Sequence, residues 1–470
     1  MLSLCFFDGE EWDYNVDAPM MRPFAGSQSA MCYLAVELAK LGHAVTLLSD
    51  TSKPGVILGV ACLNRKIGTR QFFADSKFDA VIALNGPAKR SLMRWDLPAS
   101  TMLMLWTRHA VDQPAMRGLS SRNTAERWDH IICVSDWQRT TVIETFRIAE
   151  ERVSVARNAI APAFEGLFPS PAALAAAKAD GLCLAYTSTP FRGLNVLLQL
   201  FPAIRARHAK ATLEVYSSMA VYLQEPGSDQ FRSLYDAARK MAGVRYIGSL
   251  PQPTLATALA KVNVLSYPNT WAETSCIAVM EALAAGLLVV TSDLGALPET
   301  SQGFARLVPF GAAASAQGGP VRYSLQELDR RGFIASYRDA LSHAIKGYDL
   351  AAWANRLYEQ VGVINSTCTW RVRAQPCASI TEMIAALEAR DFLLSDLYPM
   401  VRNRTSFLLQ RGCGIPTPRL PAPRQTAILL NSSSTRSIFR CRLLQCMSRL
   451  LAQSGCKHSR RYVSYWRTLT

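Results

Sequence analysis

The 470-residue chain contains no D-x-D triplet and no G-x-G-x-x-G run. The first absence removes a common carboxylate pair for holding a divalent cation, so no bound metal is expected. The second weighs against a dinucleotide oxidoreductase. Twelve cysteines are present but no CxxC pair, and those at 5, 32, 62, 133, 183, 276, 368 and 377 lie mostly in apolar runs. They read as reduced core thiols of a cytoplasmic protein. The longest uncharged apolar stretch near the middle, Ala282 to Val290, has nine residues, too few to span a bilayer. Met1 to Phe7 has no basic flank and runs into Asp8-Gly9-Glu10-Glu11, so a secretory signal is not expected. Charged residues are few, 19% against 49% hydrophobic, which excludes global disorder. No Asp or Glu follows Asp396, whereas residues 397–470 carry thirteen Lys or Arg. That leaves 38 basic and 36 acidic residues in 1–396, so the body is near neutral although the whole chain carries +15. A nucleic-acid partner is therefore not expected from the overall basicity.

What is present is a double series of short apolar strands and amphipathic helices. In the first, Met31 to Leu41 has a helical apolar face, and Ala44 to Leu48, Asp79 to Leu84, Thr101 to Trp106 and His130 to Val134 read as strands. Pro- and Ala-rich sequence from Pro162 to Ala179 reads as a linker. The second series has strands at Leu182–Tyr186, Ala211–Tyr216, Val244–Gly248, Val262–Tyr267 and Leu287–Thr291. Its helices fall at Gly193–Arg207, Pro253–Lys261 and Thr274–Ala285, followed by Leu325–Tyr348, Ala351–Val361 and Ser379–Arg390. Continuous apolar strands separated by helices predict parallel sheets covered on both faces. Two such doubly wound α/β halves predict a cleft facing the strand carboxyl ends. The expected divisions are 1–165, 166–365, a helical segment 366–396 and a basic, disordered tail 397–470.

The most informative segment runs from Tyr267 through Glu273, Thr274, Ser275, Cys276 and Glu281 to Gly286. A helix starting at Thr274 would present the amides of Thr274, Ser275 and Cys276 to an anion. Carboxylates eight residues apart on that helix would be about 12 Å apart along its axis. That suits two ends of one long polyhydroxyl ligand better than a glycosidase acid/base pair, which needs roughly 5–9.5 Å. On spacing alone, Glu273 could equally be a helix-dipole carboxylate and Glu281 an exposed helix residue.

The E-x7-E segment, with Val290-Thr-Ser-Asp-Leu-Gly-Ala-Leu-Pro-Glu299, resembles the donor-site signature of retaining GT-B glycosyltransferases of family 4. Other blocks agree in order: Ala25-Gly26-Ser27, Leu41-Gly42-His43-Ala-Val45, Val134-Ser135-Asp-Trp-Gln138, Arg157-Asn158-Ala-Ile160 and Tyr186-Thr-Ser188-Thr-Pro190-Phe-Arg192-Gly193-Leu194. The resemblance covers roughly residues 20–390. It departs where Thr274 and Cys276 replace common glycines, and where a usual Arg-plus-Lys pair is reduced to Arg192.

The resemblance implies a GT-B fold, two Rossmann-like domains facing a cleft. It also implies transfer of a sugar from a UDP- or GDP-linked donor to a hydroxyl of a carbohydrate, lipid-linked or small-molecule acceptor, with retention and without a cofactor. His109, Arg192 and Glu273 are the implied catalytic residues, with His109 near the donor sugar, between Arg108 and Asp112. Gly26, Ser188, Arg192, Thr274, Ser275, Cys276 and Glu281 are the implied donor-binding residues. Arg192 would offset charge growing on the leaving diphosphate, Glu273 would face the donor sugar, and Glu281 the nucleotide ribose. The alternatives are a same-fold sugar-nucleotide epimerase or phosphorylase, or a non-catalytic carbohydrate-binding relative. In the tail, Leu443, Leu444, Met447, Leu450 and Leu451 among Arg440, Arg442 and Arg449 suggest a peripheral contact with an inner, anionic membrane face. An unselected basic extension reads almost as well.

Overall fold

In the computed structural model, residues 1–86, 97–98, 100–178, 181–311 and 323–375 are described. The expected helix Ser379–Arg390 and the tail 397–470 lie outside the described residues. The first sheet holds β1 (Ser3–Asp8), β2 (Ala44–Ser49), β3 (Gly55–Ile57), β4 (Val60–Asn64), β5 (Ala80–Leu84), β6 (Met102–Trp106), β7 (His130–Cys133) and β8 (Val153–Val155). Its order is β3-β4-β2-β1-β5-β6-β7-β8, parallel except for the β3–β4 hairpin. The second holds β9 (Cys183–Tyr186), β10 (Thr212–Val215), β11 (Val244–Tyr246), β12 (Val264–Tyr267), β13 (Leu288–Ser292) and β14 (Ala305–Val308). Its all-parallel order is β11-β10-β9-β12-β13-β14.

Both orders reverse direction once, between β1 and β5 and between β9 and β12. In doubly wound sheets the ligand crevice lies beyond the strand carboxyl ends at that reversal. The loops after β1, β9 and β12 are therefore the first places to look for chemistry. The strand β1 itself is the apolar N-terminal run, buried from Leu4 to Asp8 and paired on both sides.

The two sheets lie within one unit, residues 1–388, and share one hydrophobic cluster. The helix Gly26–Lys40 starts earlier than expected and is buried at ten of fifteen positions. It is sandwiched between its own sheet and later elements. The expected linker is a packed element instead. The helix Pro171–Ala177, capped by Ser170, buries Leu174 against the helix Leu350–Thr367. Just after it, the buried Lys178 donates to the carbonyls of Val262 (2.8 Å) and Ala285 (2.6 Å). The connection is thereby fastened to the lead-in of β12 and to the C-terminal end of the helix Ile277–Ala284, where a cation is favoured. Burial lowers the Lys178 pKa to about 7.

The expected helix Leu325–Tyr348 is broken at Gly332, whose φ of +72° lies in the left-handed region. The segments are Leu325–Arg330 and Phe333–Lys346. Past the helix Leu350–Thr367 the chain returns to the first half. Ile160 bridges Thr369 and its N–H donates to Cys368 O, while Trp370 stacks near Tyr33 at 6.5 Å. The seven described body cysteines are all buried and free. Among the described residues, no helix is long and apolar enough to cross a membrane.

Candidate functional site

The loops after β9 and β12 meet. Arg192 ends a short turn, Pro190–Arg192, after β9, and Gly193 then starts the helix Leu194–Arg207. Gly193 has φ +115°, and a Cβ there would sit 2.1 Å from the carbonyl oxygen of Pro268. Only glycine lets the β9 loop lie against the β12 loop so closely. Arg192 Nη1 reaches Glu273 Oε1 at 2.6 Å, and Tyr267 Oη donates to the same oxygen at 2.6 Å. Ser188 Oγ lies 3.3 Å from Tyr267 Oη. Glu273 is only 5% exposed. Burial works against the Arg192 charge, but the Glu273 carboxylate beside it holds the guanidinium protonated. Burial first, and Glu273 second, push the Tyr267 phenol up, so its hydroxyl stays a donor. Phe191 and Trp271 flank the guanidinium at 5.6 and 5.9 Å.

The 273–276 segment is not the start of a helix. Glu273 bridges Gly295, and Ala296 N–H donates to its carbonyl at 2.7 Å. A Cβ at Gly295 would lie 2.4 Å from that carbonyl oxygen. The neighbouring loop thus holds the chain extended, and the helix begins at Ile277, three residues later than expected. The three amides expected to form an anion site therefore do not belong to a helix. Thr274 Oγ1 donates to Arg108 O at 2.9 Å, Ser275 O accepts from Asn158 Nδ2 at 2.8 Å, and Cys276 N–H donates to Thr300 Oγ1 at 3.4 Å. Burial keeps the Cys276 sulfur a thiol.

Glu281 stands one turn into the helix Ile277–Ala284 and is 3% exposed. Its Oε1 accepts from Ala161 N–H at 3.3 Å, and Gln252 bonds its side chain. Burial raises its pKa to about 8 against these two bonds. Because Glu273 precedes the helix, the 12 Å axial estimate between the two carboxylates does not apply. Glu281 lies against the connection between the halves, and Glu273 against Arg192.

From the first half, Gly26 opens the helix Gly26–Lys40, and a Cβ on it would sit 3.5 Å from Ile277 Cδ1. The loop after β1 therefore touches the start of the helix that carries Glu281. His109 follows β6 and is half-buried, with its carbonyl accepting from Gln138 Nε2 at 2.9 Å. It neighbours Arg108, whose carbonyl holds Thr274. Gly26, His109, Ser188, Arg192 and Glu273 thus come from loops at strand carboxyl ends of both halves. Sequence reasoning missed Tyr267 and Asn158 as site residues. Tyr267 is the last residue of its strand, and that position was the available signal. Asn158 ties Ser275 to Arg108, a role only the fold reveals.

Two doubly wound, mainly parallel sheets, each reversing once, are the arrangement of the GT-B fold. Residues 181–317 match the family model described as Glycosyl transferases group 1. The chain is 26% identical to a phosphatidyl-myo-inositol mannosyltransferase of Mycolicibacterium smegmatis, over 74% of this chain and 92% of that one. It is 24% identical to the protein of the same name from Mycobacterium leprae, over 63% and 77%. Its fold matches a sucrose-phosphate synthase from Thermosynechococcus elongatus with a TM-score of 0.62 and 14% identity, over 82% of this chain and 100% of that one. These similarities support a glycosyltransferase reading of the GT-B, family 4 type. That reading stands above an epimerase, a phosphorylase or a non-catalytic relative.

Proposed function

We propose that this enzyme transfers a hexose from a UDP- or GDP-linked donor to a hydroxyl of a glycan or lipid-linked acceptor, with retention and without a bound divalent metal. The observation that carries the reading is the Arg192–Glu273–Tyr267 cluster at the β9/β12 reversal. It joins a cation, a carboxylate and a protonated phenol where a sugar diphosphate would lie. The similarity to phosphatidyl-myo-inositol mannosyltransferases supports a lipid-linked acceptor.

In this mechanism the anomeric C–O bond to the diphosphate breaks, and the electron pair leaves with the phosphate oxygen. Arg192 exchanges part of its contact with Glu273 for that oxygen. A preorganised contact of this kind is worth about 2.7–4 kcal/mol in other enzymes. Glu273 faces the donor sugar, and His109 bonds one of its hydroxyls. Ser188 and the Gly26 loop flank the diphosphate, and Glu281 serves the nucleotide end. The acceptor oxygen attacks the anomeric carbon from the face the diphosphate left, and its proton passes to the leaving phosphate. The basic tail would keep the enzyme at an anionic membrane face on the cytoplasmic side, near a lipid-linked acceptor.

The test is incubation with UDP- and GDP-hexoses, with and without a lipid-linked acceptor, followed by NMR of the anomeric proton. Transfer with the donor's anomeric configuration kept is the expected result. An inverted product refutes retention. Sugar-nucleotide isomers formed without any acceptor would point to the epimerase instead.

A further inference from the structure

Among the cations around the candidate site, Arg192 has Glu273, and Arg157 has Asp136 and Glu299. Arg108 has no carboxylate partner among the described residues. It is 8% exposed and follows β6 at the strand's carboxyl end. Its guanidinium lies 5.1 Å over the Trp106 ring, and Nη2 donates to the neutral Asn158 side chain. Nη1 is buried and has no hydrogen-bond partner among the described residues. The residue is nevertheless held firmly. Its N–H donates to Asn85 Oδ1 at 3.0 Å, and its carbonyl accepts from Thr274 Oγ1 at 2.9 Å. Asn158, which holds Nη2, also donates to Ser275 O. A fixed, buried cation is thus tied by its backbone and its side chain to the 273–276 segment.

A buried charge without a counter-charge is costly, and folded proteins ordinarily pair it or neutralise it. Burial here lowers the arginine's pKa to about 9, still above neutral, so the cation persists at pH 7. Arg192 and Glu273 together carry no net charge. A diphosphate that gains negative charge as its sugar leaves would find no net positive side chain in that pair. The start of the helix Ile277–Ala284 offers only a partial charge.

We propose that Arg108 is a diphosphate-binding residue of the donor site, with its Nη1 donating to a phosphate oxygen and its charge supplying what the Arg192–Glu273 pair lacks. This rests on the nucleotide-sugar reading above. The bound diphosphate completes the arginine's hydrogen bonds and cancels its buried charge in one step. The first half of the molecule thereby contributes to donor binding, and donor and Arg108 hold the two halves together across Asn158 and Ser275.

The test compares the wild type with Arg108→Met and Arg108→Lys by calorimetric titration of UDP, GDP and the matching nucleosides. For Arg108→Met the expected result is at least a tenfold loss of nucleoside diphosphate affinity, with nucleoside affinity within about twofold of wild type. Arg108→Lys should fall between, since it keeps the charge but not the fork. The ligand-free Met variant should melt no lower than wild type, because an uncompensated buried charge has been removed. Unchanged nucleoside diphosphate affinity in Arg108→Met overturns the proposal. So does an equal loss of nucleoside and nucleoside diphosphate binding with a lower melting temperature, which marks a purely structural arginine. A wild type that binds neither UDP nor GDP overturns the donor reading itself, and this inference with it.

Discussion

The buried Glu281 carboxyl should make folding stability fall as pH rises through neutrality, and Glu281→Gln should abolish that part of the pH dependence. Burial disfavours the carboxylate more than the Ala161 N–H and Gln252 favour it, so the folded pKa rises from 4.5 to about 8. The sign follows from proton counts. Between those two values the folded chain holds a proton on Glu281 that the unfolded chain has released. Stability therefore decreases with pH across that window and levels off above it. At about 1.4 kcal/mol per pH unit, the whole term is on the order of 4–5 kcal/mol. Other buried groups act in the opposite sense. His130, lowered to about 4 chiefly by burial, adds stability as pH rises to its ordinary 6.5, and Lys178 does the same between about 7 and 10.5. The wild-type curve alone therefore cannot isolate Glu281, but the difference between two proteins can. The substituted glutamine keeps the shape of the protonated Glu281 side chain, and its amide oxygen can still accept from Ala161 N–H. Urea unfolding of both proteins from pH 5 to 9 should give similar stabilities near pH 5 and a growing advantage for the variant, several kcal/mol by pH 8–9. A difference that stays flat with pH would refute a buried, protonated Glu281.

Glu273→Gln should lower kcat about 100-fold with nucleoside diphosphate affinity nearly unchanged, whereas Glu281→Gln should weaken that affinity with less effect on kcat; equal small effects in steady-state kinetics and titration would remove the division of roles. On the proposed metal-free mechanism turnover should be unchanged in EDTA, and restoration of EDTA-blocked activity by Mg²⁺ or Mn²⁺ would defeat it. Gly193→Ala should destabilise the protein by more than about 3 kcal/mol in urea melts, because a Cβ would lie 2.1 Å from the Pro268 carbonyl oxygen on a left-handed backbone. Deleting residues 397–470 should leave turnover on a soluble acceptor intact and abolish salt-sensitive sedimentation with anionic vesicles, and a full-length protein that ignores such vesicles at low salt would leave the basic tail without this role.

The strands that sequence located best are those buried on both faces, such as Ala80–Leu84 and His130–Cys133, because an apolar run needs no partner to be recognised. The strand Ser3–Asp8 is equally apolar, but a short apolar run at the N-terminus has the pattern of a leader as much as of a strand, and its place at the sheet's reversal is set by pairing with β2 and β5. The start at Ile277 was illegible for a different reason. Local preference allows a helix from Thr274, and the Glu273–Gly295 bridge that forbids it joins residues 22 apart in the chain. The same holds for charge. Arg192 and Glu273 could each be picked out by their blocks, but not that they would pair across 81 residues. That pairing changes what the site can do, because an arginine already matched to a carboxylate cannot alone balance a diphosphate. The residue types legible in sequence therefore name the participants, while the distribution of charge among them is a property of tertiary contact. It is this distribution that moves attention from Arg192, which resemblance singled out, to Arg108, for which the residues themselves offered no separable role.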